Sequence, residues 1–123
     1  MTDITHWIGG TPWAGQVERW GDVYDPAAGR VTSRVAFADP GTVESAVESA
    51  GQAARDWRHA SLATRSRVLF AFRELVDRRK KDIAGLLTAE HGKVASDALG
   101  EVTRGLEVVE FACGIPQLLK GEF

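Results

Sequence analysis

The chain has little of what marks secreted, membrane-spanning or metal-binding proteins. Cys113 is its one cysteine, so the chain forms neither an internal disulfide nor a cysteine metal cluster, and a reducing compartment fits best. No uncharged apolar run approaches the roughly 20 residues that a membrane helix needs. Residues 1–6 lack the basic region and apolar run of a secretory signal. We therefore predict a cytoplasmic protein.

An excess of charge of one sign is also lacking. The chain carries 15 Lys and Arg against 17 Asp and Glu, a formal net charge of −2, which gives no electrostatic case for nucleic acid or an anionic membrane as a partner. His6, His59 and His91 are scattered without paired ligand spacing, so no metal is expected. Hydrophobic residues at 44% and charged residues at 26% are the composition of an ordinary globular domain.

Residues 1–38 have the pattern of strands and turns. Gly9-Gly10 tolerates the positive φ of a hairpin turn, and it follows Trp7-Ile8 directly. The pattern predicts a first hairpin, with Trp13 and Val17 on its return strand. It does not indicate a phosphate-binding loop, because the G-x-G-x-x-G pattern and its following helix are absent.

A second hairpin is predicted by the turn sequence Asp-Pro-Ala-Ala-Gly at residues 25–29. Pro26 suits the first central position of a type I turn, and Gly29 suits a left-handed bulge position. The turn separates Val23-Tyr24 from an alternating stretch at residues 30–37, which is typical of two paired strands.

Helical spacing replaces the alternation after residue 38. Asp39 suits the cap of a first helix and Pro40 its first position. The apolar stripe of this helix comprises Val43, Val47, Ala50, Ala54 and Trp57. Ser61 suits the cap of a second helix that stops at Gly92, and the basic run at residues 78–81 predicts a kink or an exposed turn within it.

A third helix is predicted from about Val94. Ile115-Pro116 should end or kink it, because Pro116 disfavours helical geometry at the residue before it. Residues 39–123 therefore form a helical segment, and this chain alone is α+β, with N-terminal hairpins followed by three amphipathic helices. Since a domain closes its layers around one core, and these helices have no sheet to cover, we expect a layer to be missing.

Several sequence blocks, in this order and at these separations, resemble the aldehyde dehydrogenase family. They are Trp7-Ile8-Gly9-Gly10, the turn at residues 25–29 with Asp25 in place of the family's Asn, the alanine-rich stretch 43–57, the Arg-x-x-x-Leu helix start at 65–69, and Thr88–Lys93, which matches Thr-x-Glu-x-Gly-Lys. Residues 104–111 and 114–122 are similar to the methylmalonate-semialdehyde dehydrogenase branch. The resemblance spans essentially the whole chain and the N-terminal quarter of such an enzyme.

The resemblance implies an α/β, aldehyde dehydrogenase-like fold in a homotetramer. Residues 1–38 would be a β-hairpin segment for oligomerisation or a sheet edge, and residues 39–123 the helical part of an incomplete nucleotide-binding domain. The implied reaction is NAD-dependent oxidation of methylmalonate or malonate semialdehyde through a cysteine thioester, which is transferred to coenzyme A. The family's nucleophile, general base and dinucleotide loop lie downstream. We therefore assign no catalytic, cofactor-binding or metal residue, and expect this chain alone to have no turnover and to bind no cofactor.

Arg104 is the one candidate for a substrate-binding residue. In the family the third helix borders the substrate entrance, and a semialdehyde that carries a carboxylate needs a fixed cation. A guanidinium can hold a carboxylate with two parallel hydrogen bonds, and Gly105 would leave room for a ligand or a neighbouring backbone. The alternative is a surface arginine that pairs with Glu101 or Glu107, each about one helical turn away.

Other residues with possible chemistry have plain structural explanations. Cys113 lies on an apolar stripe with no histidine near it in sequence, which indicates an inert buried thiol. Glu90 and Lys93 could do acid–base work, but they also suit capping and packing at a helix end. The basic run at residues 78–81 could attract coenzyme A phosphates or form a solvated charged turn.

Three functions stay open at this point. The chain could be the N-terminal part of a semialdehyde dehydrogenase, a non-catalytic module that docks on a full-length relative, or a free-standing helical domain. Hydrophobic exposure separates the first two from the third, because helix stripes without partners leave an apolar patch above a few hundred Å².

Overall fold

The computed structural model describes residues 1–122, which divide into a compact unit Met1–His59 and a second unit that begins at Ala60. Phe123, the last residue of the predicted helical segment 39–123, lies outside the described residues. Strands precede helices along the chain, which confirms the predicted α+β class. The functional roles predicted on either side of residue 38 stay predictions. No helix within residues 1–122 is long and apolar enough to cross a bilayer.

The larger hairpin of the first unit joins β4 (Arg19–Asp25) to β5 (Arg30–Phe37). The Asp25 carboxylate accepts hydrogen bonds from the backbone N–H groups of Ala27 and Ala28 at 2.9 and 3.1 Å, so the side chain itself stabilises the turn. Gly29 has a φ of +65°, a conformation that costs glycine little. The predicted second hairpin is therefore confirmed.

A short strand, β1 (Thr2–Ile4), extends this hairpin to a three-stranded sheet of order β1-β5-β4. It runs parallel to β5, and Arg34 donates to both carboxylate oxygens of Asp3, at 2.6 and 2.9 Å. Sequence analysis did not predict this strand. Its three exposed residues carry no apolar alternation, and the partner arginine lies 31 positions along the chain.

The smaller hairpin pairs β2 (Trp7–Ile8) with β3 (Thr11–Pro12), and both turn glycines have positive φ, at 64° and 81°. This first hairpin was predicted and is confirmed. The placement of Trp13 and Val17 on the return strand is wrong, because β3 ends before both residues. The chain bends back at Gly15, where an added Cβ would lie only 2.0 Å from the Trp13 ring, so the backbone passes directly against the indole.

Helix α1 (Pro40–Trp57) completes the first unit and begins where the sequence predicts. The Asp39 side chain accepts a hydrogen bond from the backbone N–H of Thr42 at 2.6 Å, and this bond lowers the pKa of Asp39. The proline at the first helical position loses no hydrogen bond there.

Helix α2 (Leu62–His91) opens the second unit and runs without interruption for 30 residues. Ser61 caps it, with its hydroxyl accepting from the Thr64 N–H at 3.1 Å. The predicted kink at residues 78–81 is wrong. Arg78 pairs with Glu74 at 3.5 Å, Arg79 with Asp82 at 3.7 Å and Lys80 with Asp77 at 2.9 Å, all within the helix. Pairs three or four residues apart offset the repulsion that would otherwise strain the run.

Helix α2 ends at Gly92, whose φ of +81° is the predicted left-handed stop, and α3 (Ala95–Cys113) follows. A short helix, α4 (Ile115–Leu118), closes the unit. The predicted end of the third helix before Pro116 is confirmed, but Ile115 is itself helical. It begins a new helix, and the missing N–H of proline costs no bond in a first turn.

The core of the second unit lies between α2 and α3 and consists of small side chains. Ala98 is fully buried, and Ala84, Leu106 and Cys113 are between 5% and 8% exposed. Leu106 is the one large side chain among these four. The small size of the other three allows the two helices to approach closely.

Candidate functional site

Arg104 lies on α3 with its side chain exposed. Its guanidinium Nη1 lies 3.8 Å from the point that a Cβ on Gly100 would occupy. The side chain therefore runs back along the helix by one turn, as long helical side chains do. Because Gly100 has no side chain, nothing from that position covers the guanidinium.

The space beside Arg104 is open. Apart from its two chain neighbours and the nearby backbone of its own helix, a Cβ added at Gly105 would meet no atom of the described chain within 4 Å. The Gly105 position is therefore uncrowded, and the residue before it is an exposed cation. The assignment of Arg104 to substrate binding stays a prediction.

The two carboxylates that could neutralise Arg104 form no ion pair with it within residues 1–122. Glu101 pairs instead with Lys93, whose ammonium donates to Glu101 Oε1. This hydrogen bond lowers the pKa of Glu101, and the positive charges of Lys93, Arg104 and His91 act in the same direction. Glu107 is exposed on α3. Arg104 thus lies in the field of Glu101 without being bound by it.

Arg73 links the two long helices of the second unit. Its Nε and Nη2 atoms both donate to Glu110 Oε1 on α3, at 2.9 and 2.7 Å. A third contact, from Nη1 to Asp77 Oδ2 at 3.4 Å, holds the guanidinium against α2. These contacts fix α3 along α2, and thereby the position from which Arg104 projects.

Two segments that sequence analysis weighed for phosphate binding can be compared with the structure. Gly9-Gly10 is the turn of a hairpin and does not start a helix, so it lacks the phosphate-binding geometry of a dinucleotide loop. Three of the four basic side chains at residues 78–81 are engaged by carboxylates of their own helix, which weakens them as a site for coenzyme A phosphates.

The other candidates are the Cys113 thiol, the Glu90 carboxylate and possible metal ligands. Cys113 is 8% exposed in the interface of α2 and α3, so its thiol is not accessible to a substrate. Glu90 is exposed and makes no hydrogen bond or ion pair with Lys93 in the described chain. No group of three His, Cys, Asp or Glu side chains within residues 1–122 has an arrangement that could hold a metal ion.

Helix α2 carries an apolar stripe that its own unit does not cover. The stripe comprises Val68, Phe72, Leu75, Ile83 and Leu86, which are 51%, 50%, 51%, 37% and 68% exposed. With Arg79 and Asp82, most of these side chains line a shallow groove. On α3, Val108 and Phe111 are each 68% exposed. The second unit therefore exposes large apolar side chains on both of its long helices.

The sequence does not indicate the two ion pairs that engage Glu101 and join α3 to α2. The Lys93–Glu101 pair spans 8 positions and the Arg73–Glu110 pair spans 37, so neither fits a helical repeat of three or four residues. The one signal available was that Lys93 follows the helix stop at Gly92 and precedes a glutamate-bearing helix.

Comparisons with known proteins agree on one family. The aldehyde dehydrogenase family profile matches residues 13–123. The malonate-semialdehyde dehydrogenase of Pseudomonas aeruginosa is 40% identical over 105 residues, which are 85% of this chain and 21% of that protein.

Solved structures of the same family have the same fold. Methylmalonate-semialdehyde dehydrogenase from Oceanimonas doudoroffii superposes with a TM-score of 0.94 at 43% identity, over 99% of this chain and 25% of that one. A putative methylmalonate-semialdehyde dehydrogenase from Sinorhizobium meliloti, complexed with NAD, gives a TM-score of 0.92 at 40% identity, over 98% of this chain and 25% of that one. The chain thus spans about a quarter of the length of these relatives.

Proposed function

The chain belongs to the aldehyde dehydrogenase family, and on that basis we propose that it forms the N-terminal quarter of an NAD-dependent, CoA-acylating dehydrogenase of methylmalonate or malonate semialdehyde. Its similarity to the Pseudomonas aeruginosa and Oceanimonas doudoroffii enzymes supports this substrate class. The reaction oxidises the aldehyde while NAD takes the hydride, the substrate carboxylate leaves as carbon dioxide, and the remaining acyl group passes to coenzyme A.

In this proposal Arg104 holds the carboxylate of the semialdehyde. The observation that carries it is an exposed guanidinium that no described carboxylate neutralises, beside an open space at Gly105. A planar guanidinium donates two parallel hydrogen bonds to a carboxylate, which fixes the orientation of the aldehyde at the other end of the molecule. An uncharged aldehyde makes no such contact, so Arg104 would discriminate between substrates by charge.

The chain alone would have no turnover and would bind neither NAD nor coenzyme A. Cys113 is buried and cannot serve as the nucleophile, and the described residues form no phosphate-binding loop. The buried free thiol also fits a reducing, cytoplasmic compartment. A saturable NAD titration of the purified chain would overturn this part of the proposal.

A chimera tests the role of Arg104. This chain replaces the corresponding quarter of the Oceanimonas doudoroffii enzyme, and Arg104→Leu is compared with the parent on malonate semialdehyde and on propanal. Loss of a charge clamp is expected to cost on the order of 2–5 kcal/mol in kcat/KM for the carboxylated substrate, with propanal spared. Equal losses for both substrates would remove Arg104 from the site.

Assembly of the complete enzyme is part of the same proposal. The strand order leaves β1 and β4 at the two edges of the sheet, and edge strands have unpaired backbone groups that can accept a further strand. We assign residues 1–38 to contacts of this kind in a homotetramer. Sedimentation of the chimera tests it, since deletion of residues 1–4 should lower the oligomeric state.

A second candidate function is a non-catalytic module that docks on the rest of a family member, and the apolar stripe of α2 favours it. Co-expression with the downstream three quarters of the Oceanimonas doudoroffii enzyme tests this candidate. Leu75→Gln/Leu86→Gln should weaken co-purification, while Glu44→Gln on exposed α1 surface should not. Equal recovery of both variants would contradict docking through the stripe.

A further inference from the structure

Lys93 lies in the connection between α2 and α3, and its side chain is largely buried. Gly92 ends α2 in a left-handed conformation, and the next residue directs its side chain to α3, where the ammonium donates to Glu101 Oε1. The Lys93 side chain is only 17% exposed, whereas that of Glu101 is 42% exposed. A lysine with no partner would extend into water, so the ion pair orders this side chain.

Glu101 would otherwise be the natural partner of Arg104. A glutamate one turn before an arginine on the same helix is the favourable orientation for an ion pair. The reverse order, which applies to Glu107, is the weaker one. Arg104 already lies in the field of Glu101, yet the described residues show Glu101 bound to Lys93. The two cations therefore compete for one carboxylate.

We propose that Lys93 is a positioning residue that engages Glu101 and so leaves the guanidinium of Arg104 free for the substrate carboxylate. The inference rests on the proposed role of Arg104 in substrate binding. Lys93 itself touches no substrate. Its effect passes through Glu101, which becomes a competitor of the substrate when the lysine is removed.

The chimera described above tests the inference with a set of variants. Lys93→Met should raise KM for malonate semialdehyde by about twofold, the scale of one helical ion pair, with kcat and the KM for propanal unchanged. Lys93→Arg keeps the cation and should retain the parent KM. Lys81→Met removes the same charge from an exposed position on α2 and should also retain it.

The double variant separates competition from a scaffolding role. Lys93→Met/Glu101→Gln should return KM to the parent value, because no carboxylate is left to bind Arg104. Glu101→Gln alone should not raise KM, since the parent Glu101 is already occupied. A rise with Glu101→Gln equal to that with Lys93→Met would mean that the pair only supports the fold, and would overturn the inference.

The failure of the proposed function has a different signature. If Arg104→Leu changes kcat/KM for neither substrate, the proposed role of Arg104 in substrate binding is wrong. If Arg104→Leu lowers kcat/KM for the semialdehyde but Lys93→Met does not raise its KM, only the positioning role of Lys93 is wrong. Should a variant chimera not fold, NMR of the 123-residue chain decides, because Arg104 guanidinium rotation should slow in Lys93→Met and not in the double variant.

Discussion

Arg73 on α2 and Glu110 on α3 are joined by two hydrogen bonds to one carboxylate oxygen, at 2.9 and 2.7 Å. The arginine side chain is 32% exposed and the glutamate 46% exposed, so water screens the pair only in part. The hydrogen bonds to Glu110 raise the pKa of Arg73 above the ordinary value of an arginine. It connects residues 37 positions apart and fixes the two helices relative to each other.

Removal of this interhelical contact should lower the thermal midpoint of the second unit. Arg73→Gln and Glu110→Gln should each lower it, and the double variant should lower it by less than the sum of the two, because both act on one contact. Arg78→Gln is the matched control, since Arg78 pairs within α2 and is 65% exposed. Helix circular dichroism measures the transition. Additive losses would mean that the two side chains do not interact.

A core substitution in the same interface should have a larger effect. Leu106 is 7% exposed, so Leu106→Ala should destabilise the second unit by about 2–5 kcal/mol, through lost burial and the cavity left behind. Val108, two residues away, is 68% exposed, and Val108→Ala should change stability by no more than about 0.5 kcal/mol. Urea unfolding followed at 222 nm compares the two. Similar losses would contradict the assignment of Leu106 to the core.

Two glycines of the second unit should respond to alanine with opposite sign. Gly92 has a φ of +81°, so Gly92→Ala should cost about 1–2 kcal/mol for the left-handed conformation. Gly85 is inside α2 with open space at its Cβ position, so Gly85→Ala should stabilise by about 0.5–1 kcal/mol. The same unfolding experiment measures both, and a stabilising Gly92→Ala would exclude the left-handed helix stop.

Local signals predicted most of the fold, and contacts between distant residues account for what they missed. Asp39 and Ser61 were recognised as helix caps because a cap acts within three residues. The strand β1 was not recognised, because parallel pairing depends on residues far along the chain. The kink or exposed turn at residues 78–81 is predicted from a basic run that interrupts the apolar stripe, and this pattern does not take account of the carboxylates one turn away that pair with three of the four basic side chains.

The candidate site was predictable only in part for the same reason. Arg104 stands out through the resemblance to the family, and the sequence leaves two alternatives, a substrate-binding residue or a surface arginine that pairs with Glu101 or Glu107. In the folded chain Lys93 donates to Glu101 from the connection between two helices, and Arg104 forms no ion pair within residues 1–122. No helical periodicity specifies a contact that spans 8 positions across a turn.

Acid should destabilise the second unit through two carboxylates. The hydrogen bond from Lys80 lowers the pKa of Asp77 below its ordinary value of 3.8, and that from Lys93 lowers the pKa of Glu101 below 4.5. A carboxyl whose pKa is lower in the folded chain stabilises it fully above the unfolded pKa. That contribution is lost as the pH falls through the ordinary carboxyl range to the lower folded value.

The thermal midpoint should therefore be flat from neutral pH down to about pH 5 and fall below it. Asp77→Asn/Glu101→Gln should start lower at neutral pH and have a shallower acid slope, because the groups that lose their charge are absent. Glu90→Gln removes an exposed carboxylate that makes no ion pair within residues 1–122, and it should retain the parent slope. Tryptophan fluorescence reports on the first unit, which contains Trp7, Trp13, Trp20 and Trp57. Helix circular dichroism follows the second unit, and the two unfolding curves are compared. An acid slope that the double variant leaves unchanged would show that these two carboxylates do not cause the loss.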